Sequence, residues 1–76
     1  MANQLEFYPN PTNGILQING IENGQLRVLS LTGQLVYDTF YHKGDEIDLT
    51  TVKTGLYFLQ MYTSRGEFTQ KVNLMK

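Results

Sequence analysis

Apolar and polar residues alternate along this chain in short runs, and glycine or proline closes most of them. Leu16 and Ile18 flank Gln17, Leu26 and Val28 flank Arg27, and Tyr57, Leu59 and Met61 stand two apart. Successive side chains leave a strand on opposite faces, so a period of two marks strands with one buried face. A helix needs apolar positions three and four apart, and the chain offers no stretch of that kind. The pattern predicts strands over Gln4 to Tyr8, Gly14 to Asn19, Gln25 to Ser30, Gln34 to Tyr41, Glu46 to Leu49, Leu56 to Thr63 and Gly66 to Leu74. Turns are expected at Glu22 to Gly24, Thr32-Gly33, Lys43 to Asp45 and Ser64 to Gly66. About seven such strands bury little in one open sheet, and two packed sheets are the usual solution. The expected fold class is therefore all-β, a small immunoglobulin-like antiparallel β-sandwich.

The same parity nominates the core: Leu16, Ile18, Leu26, Val28, Ile47, Leu49, Tyr57, Leu59, Met61, Phe68, Val72 and Leu74. The opposite face of the long strand carries Leu56, Phe58, Gln60 and Tyr62, half of it aliphatic or Phe. Either something partly covers that face or it is an exposed patch of the sort that marks contact sites.

Between the first two strands lies Tyr8-Pro9-Asn10-Pro11-Thr12-Asn13-Gly14. Pro9 and Pro11 fix φ and remove two backbone donors, Asn10 and Asn13 close side-chain turns, and Gly14 is free to take positive φ. A sharp bend through which no strand ladder runs is the expectation. Gly55 lets the backbone enter the next strand in a conformation other residues resist, and Tyr57 buries its ring while its hydroxyl seeks a partner.

Composition narrows the field. Seventy-six residues make one small domain, 1–76, in which residues 1–3 read as an added start or a linker. Hydrophobic residues at 41% and charged residues at 17% argue for a folded core rather than a disordered tail. There is no cysteine for a disulfide staple. A net charge of −1, from six basic and seven acidic residues, supplies no field to neutralise phosphates, so no nucleic-acid partner is expected. The longest apolar run, Leu56 to Leu59, is far short of the roughly 20 residues that span a bilayer, so no transmembrane segment is expected. Nor does the N-terminus have the layout of a secretory signal, and the chain reads as an excised domain.

Candidate chemistry is sparse. Asp38, Asp45, Glu46 and Asp48 lack the spacing of a calcium loop. His42 is the lone histidine, with no cysteine to join it, so no metal and no cofactor are expected. Ser30 and Ser64 sit in no strand-to-helix elbow, and a sandwich this small leaves little room for a desolvated carboxylate pair. The chain is not expected to be an enzyme. Asn10-Pro11-Thr12 is no glycosylation acceptor, because proline holds its middle position.

Three further segments recur in order: LTGQLVY from Leu31 to Tyr37, EIDLTTVKTGLYFLQM from Glu46 to Met61, and GEFTQKVNLMK ending at Lys76. With the PNPTNG bend they give the chain, from Phe7 onward, a pattern that resembles the C-terminal sorting domain, type A, of the bacterial type IX secretion system. That family runs PNPxxG, a strand, a glycine turn, a D-L-S/T-x-L-x-x-G-x-Y segment and a basic tail. Pro9, Asn10, Pro11, Gly14, Gly33, Asp48, Leu49, Gly55 and Tyr57 match its structural positions, and Val52 stands where it usually has Leu, a conservative change at a buried site. The resemblance implies that Asp48 satisfies N–H groups of the following turn. It also implies that Lys71, Leu74, Met75 and Lys76 match the part read by the export machinery.

The implied function is a non-catalytic address label on a larger cargo protein. Its partners would be the type IX outer-membrane translocon and a surface sortase-like protease. Its location would be the periplasm in transit, then the cell surface or the medium. A terminus suits recognition because it frays and can add to another sheet edge. The rival reading is a small carbohydrate-binding or adhesion module, suggested by five Tyr and four Phe on a sandwich. A coplanar exposed set among Tyr37, Phe40, Tyr41 and Tyr62 would favour it. A minor enzyme domain would instead require a deep polar pocket.

Overall fold

The computed structural model describes residues 5–9 and 11–75. The expected Gln4 start, the motif residue Asn10 and the terminal Lys76 lie outside them. The strands are β1 (Glu6–Tyr8), β2 (Ile15–Asn19), β3 (Asn23–Ser30), β4 (Leu35–His42), β5 (Ile47–Asp48), β6 (Gly55–Thr63) and β7 (Gly66–Leu74). They form two antiparallel sheets, β1-β2-β5 and β4-β3-β6-β7, with no helix among the described residues. The all-β sandwich read from the alternation is the fold.

Alternation explains why these segments pair as they do. Leu26 and Val28 on β3 stand opposite Met61 and Leu59 on β6, and Tyr57 on β6 stands opposite Val72 on β7. All six side chains turn to the inner face, where Leu16 and Ile18 of β2 and Phe7 of β1 meet them. A slip of one residue in any pair would expose the whole set, so burial fixes the register. Each fully buried aliphatic side chain contributes roughly 1.5–3 kcal/mol. The expected core is buried with one exception.

That exception is Phe68, which is half-buried and packs against the rim of the core. It lies on edge strand β7, next to Leu5 and Phe7, where the three-residue β1 is too short to cover it. Two aromatics were not nominated. Phe7 is buried on β1, and Tyr41, one of the four rings whose joint exposure would favour the carbohydrate-binding reading, is 1% exposed and donates its hydroxyl to the Ile18 carbonyl at 3.2 Å. Tyr41 shares with Thr39 and Tyr37 the parity of β4 that faces Gly24, Leu26 and Val28, and so points inward.

One turn sits earlier than expected. The link from β2 to β3 runs through Gly20, Ile21 and Glu22, with Gly20 at φ +100°, while Gly24 belongs to β3. Gly24 serves close packing instead: a Cβ there would lie 2.7 Å from the Tyr62 carbonyl oxygen and 2.9 Å from Met61 Sδ. The other glycine turns fall between β3 and β4, β4 and β5, and β6 and β7 as expected.

Candidate recognition site

The segments that carry the sequence motifs are far apart in the chain and meet at one end of the sandwich. The bend after β1 is organised by Thr12, a buried residue. Its Oγ1 accepts the Gly14 N–H at 3.1 Å and donates to the Ile15 carbonyl at 2.7 Å. The Asn13 side chain accepts the Ile15 N–H at 3.4 Å, closing a local turn as its residue type suggests. Pro9 and Pro11 are exposed on either side of the bend, and Tyr8-Pro9 is a cis peptide.

Gly14 takes φ +126°, which disfavours any side chain, and a Cβ there would stand 2.9 Å from Thr50 Cγ2. That proximity comes from a direct bond, because the Leu49 N–H donates to the Gly14 carbonyl at 2.6 Å. Asp48 lies beside it. Its Oδ1 accepts the Thr50 N–H at 2.9 Å and the Thr50 hydroxyl at 2.6 Å, tightening the turn, and the Val52 N–H then reaches the Leu49 carbonyl at 3.0 Å. The strand expected over Glu46 to Leu49 shrinks to Ile47–Asp48, since Leu49 uses its N–H on the bend. Leu49 and Val52 nevertheless bury their side chains in the core.

The third segment closes the same end. Gly55 opens β6 opposite Leu74. Tyr57, 9% exposed, donates its hydroxyl to the Lys53 carbonyl at 2.6 Å and so binds the loop that precedes it. The turn from β3 to β4 lies here too, since Ser30 stands opposite Tyr57. In that turn the Gly33 N–H bonds the Ser30 carbonyl at 2.9 Å, and Gly33 itself is at φ +91°.

The last strand arrives at this end and is fastened there. Thr12 donates its N–H to the Asn73 carbonyl at 3.0 Å, and the Met75 N–H donates to the Thr12 carbonyl at 2.8 Å, a single parallel bridge. A strand bridge therefore reaches into the proline bend at Thr12, where no ladder was expected to run. It also revises the expectation of fraying for Leu74 and Met75, Lys76 lying outside the described residues. Leu74 is 1% exposed and belongs to the core, and Met75 is held by its backbone while its side chain is 55% exposed. Lys71 is exposed on the outer face, opposite Phe58 of β6. Of the expected recognition residues, then, Lys71 and the Met75 side chain are displayed and Leu74 is interior. Thr12 was missed. The available signal was a hydroxyl between proline and asparagine in a tight bend, a position suited to a side-chain turn.

The outer face of the four-stranded sheet is an exposed, half-apolar surface. Leu35 and Leu56 are each 42% exposed and Val36 is 40% exposed, with half-buried Leu29 and Phe58 between them. The aromatic set is not coplanar. Tyr41 points inward, Tyr37 packs against the core, and only Phe40 and Tyr62 share the outer face, on strands separated by β3. Phe40 meets His42 edge-on at 5.3 Å, and the Tyr62 hydroxyl is spent on Gln60 at 2.7 Å.

At the opposite end an open cleft of about 530 Å³ is lined by Ile18 to Asn23, Lys43, Ser64 and Arg65. Its charges are tied down, Arg65 to the Gly20 carbonyl at 2.6 Å and Lys43 to Glu22 at 3.6 Å. No group of three or more His, Asp or Glu is placed to hold a metal among the described residues, and no described helix is long and apolar enough to cross a membrane.

Residues 6–75 match the family described as the Secretion system C-terminal sorting domain, the sorting domain of type IX secretion. The chain belongs to this family. No curated protein matches the chain significantly. As a type IX sorting domain it implies a larger secreted protein with this domain as its C-terminal tail, bound for the cell surface or the medium. Of the residues that carried the sequence resemblance, Pro11, Gly14, Gly33, Asp48, Leu49, Gly55 and Tyr57 lie toward the end where β7 finishes.

Proposed function

We propose that this domain is the non-catalytic export signal of its cargo: a folded label that crosses the periplasm, is read by the type IX outer-membrane translocon, and is then removed by a sortase-like surface protease. The observation that carries the reading is the family match over residues 6–75, which spans every strand. The end that joins the proline bend, the Asp48 turn and the close of β7 is the surface we assign to recognition. Lys71 and the Met75 side chain are its displayed groups, and Lys76 follows Met75 in the sequence.

A fold-dependent signal suits such a task. Because Thr12 bonds both the bend and the last strand, the shape of the displayed end depends on β7 being docked against the bend. The reading is tested by fusing the chain behind a periplasmic reporter and deleting Met75 and Lys76. Export that falls sharply while the truncated domain keeps its unfolding transition supports recognition at this end. Unchanged export from the truncated, folded domain refutes it.

A further inference from the structure

Four strands form the margins of the two sheets: β1, β5, β7 and β4. Native sheets guard such edges by brevity, charge or cover. β1 and β5 have three and two residues. β7 carries exposed Glu67 and Lys71 and is bridged by Thr12 at its end. β4 is the least protected of the long edges: Leu35, Val36 and Phe40 are exposed, Asp38 is the only charged residue before His42, and the register irregularity is confined to its Leu35–Val36 end.

The register shows which backbone groups look onto that edge. Lys43 donates its N–H to the Glu22 carbonyl at 2.7 Å, continuing the β3 and β4 pairing by one residue and marking that pair as hydrogen-bonded. Bonded and non-bonded pairs alternate in an antiparallel ladder. Gly24 with Tyr41 and Leu26 with Thr39 are therefore bonded pairs, whereas Asn23 with His42, Gln25 with Phe40 and Arg27 with Asp38 are not. The N–H and C=O groups of His42, Phe40 and Asp38 point away from β3. Those of His42 are used by the turn, its N–H on Asp45 Oδ2 and its C=O by the Asp45 N–H, both at 2.9 Å. Those of Phe40 and Asp38 face the open edge.

We propose that β4 pairs antiparallel with β4 of a second copy of this chain, about a two-fold axis at Thr39. Phe40 of each copy then lies opposite Asp38 of the other, and the open N–H and C=O groups of both residues bond reciprocally, as an isologous interface requires. Thr39 meets its own copy in the close, non-bonded pair, a favourable Thr–Thr contact. Other registers do worse. An axis at Asp38 sets that carboxylate against its copy, and an axis at Phe40 matches Asp38 with His42, whose groups are already engaged. One strand against another buries less than the roughly 800 Å² per partner of a standard interface, so the dimer forms at high protein concentration.

Sedimentation of the 8.7 kDa chain up to about 1 mM tests this. A monomer–dimer equilibrium is expected, and a monomer throughout overturns the proposal. Phe40→Asp sets two carboxylates against each other across the axis and should abolish the dimer. Phe40→Lys removes the same ring but faces Asp38 with an ammonium and should retain it. Equal behaviour of the two variants overturns the register. Phe40 is 58% exposed, so neither should shift the thermal midpoint by more than a few degrees. A synthetic chain with the Phe40 amide N-methylated keeps every bond to β3 and should be monomeric. A dimer from it overturns the proposal even if either substitution unfolds the domain.

Discussion

Thr12 ties the bend to its neighbours through one hydroxyl and its own peptide group, and both are satisfied in a buried setting. Replacing it by Val keeps the shape and removes the hydroxyl, leaving the Gly14 N–H and the Ile15 carbonyl without that partner. The expected loss is about 1–3 kcal/mol by denaturant unfolding, since an unmade buried hydrogen bond costs more than a made one contributes. Tyr57→Ala should cost about 3–5 kcal/mol, as deletion of a buried ring does. Tyr57→Phe should cost only about 1 kcal/mol, the value of the hydroxyl's bond to Lys53. An unchanged midpoint in the Ala variant would place the ring outside the core. Tyr57 was legible because a glycine opened an alternating apolar strand. Tyr41 was not, because its strand has exposed Val36 and Phe40 on the other parity, and nothing in the local pattern ranks one aromatic face above the other.

At the level of elements, strands with two or three apolar residues of one parity announced themselves, and their boundaries moved by only a residue or two. β5 was less legible, since only two residues form the strand and Leu49, buried like a strand residue, extends their register by a single bond to Gly14. The β2 and β3 turn was misplaced for a related reason. Gly20 and Gly24 look alike in sequence, but one supplies positive φ and the other makes room for β6. The bridge from Thr12 to the end of β7 is a long-range contact with no local periodicity to betray it. It also separates a truncation from a substitution. Removing Met75 and Lys76 deletes one described backbone bond and an exposed side chain, so thermal unfolding should show a loss of about 1 kcal/mol. Leu74→Ala empties part of the core and should cost about 2–5 kcal/mol. Equal losses would mean that Leu74 is not the interior anchor of the last strand.

For the whole molecule, the arrangement has a direction. Glu6 pairs with Asn19 beside the open cleft, while the motif loops and the close of β7 share the other end. The motifs were legible as a family pattern before any coordinates, but their convergence was not, because only the two-sheet topology brings the bend, the Asp48 turn and the C-terminal strand together. The central claim is that this assembled domain directs export. It is tested most directly by measuring how much of a periplasmic reporter, fused ahead of the chain, reaches the cell surface or medium in otherwise identical strains with and without a working type IX system. The account predicts release only from the working strain. Equal retention in the periplasm of both strains, or equal release from both, would contradict it.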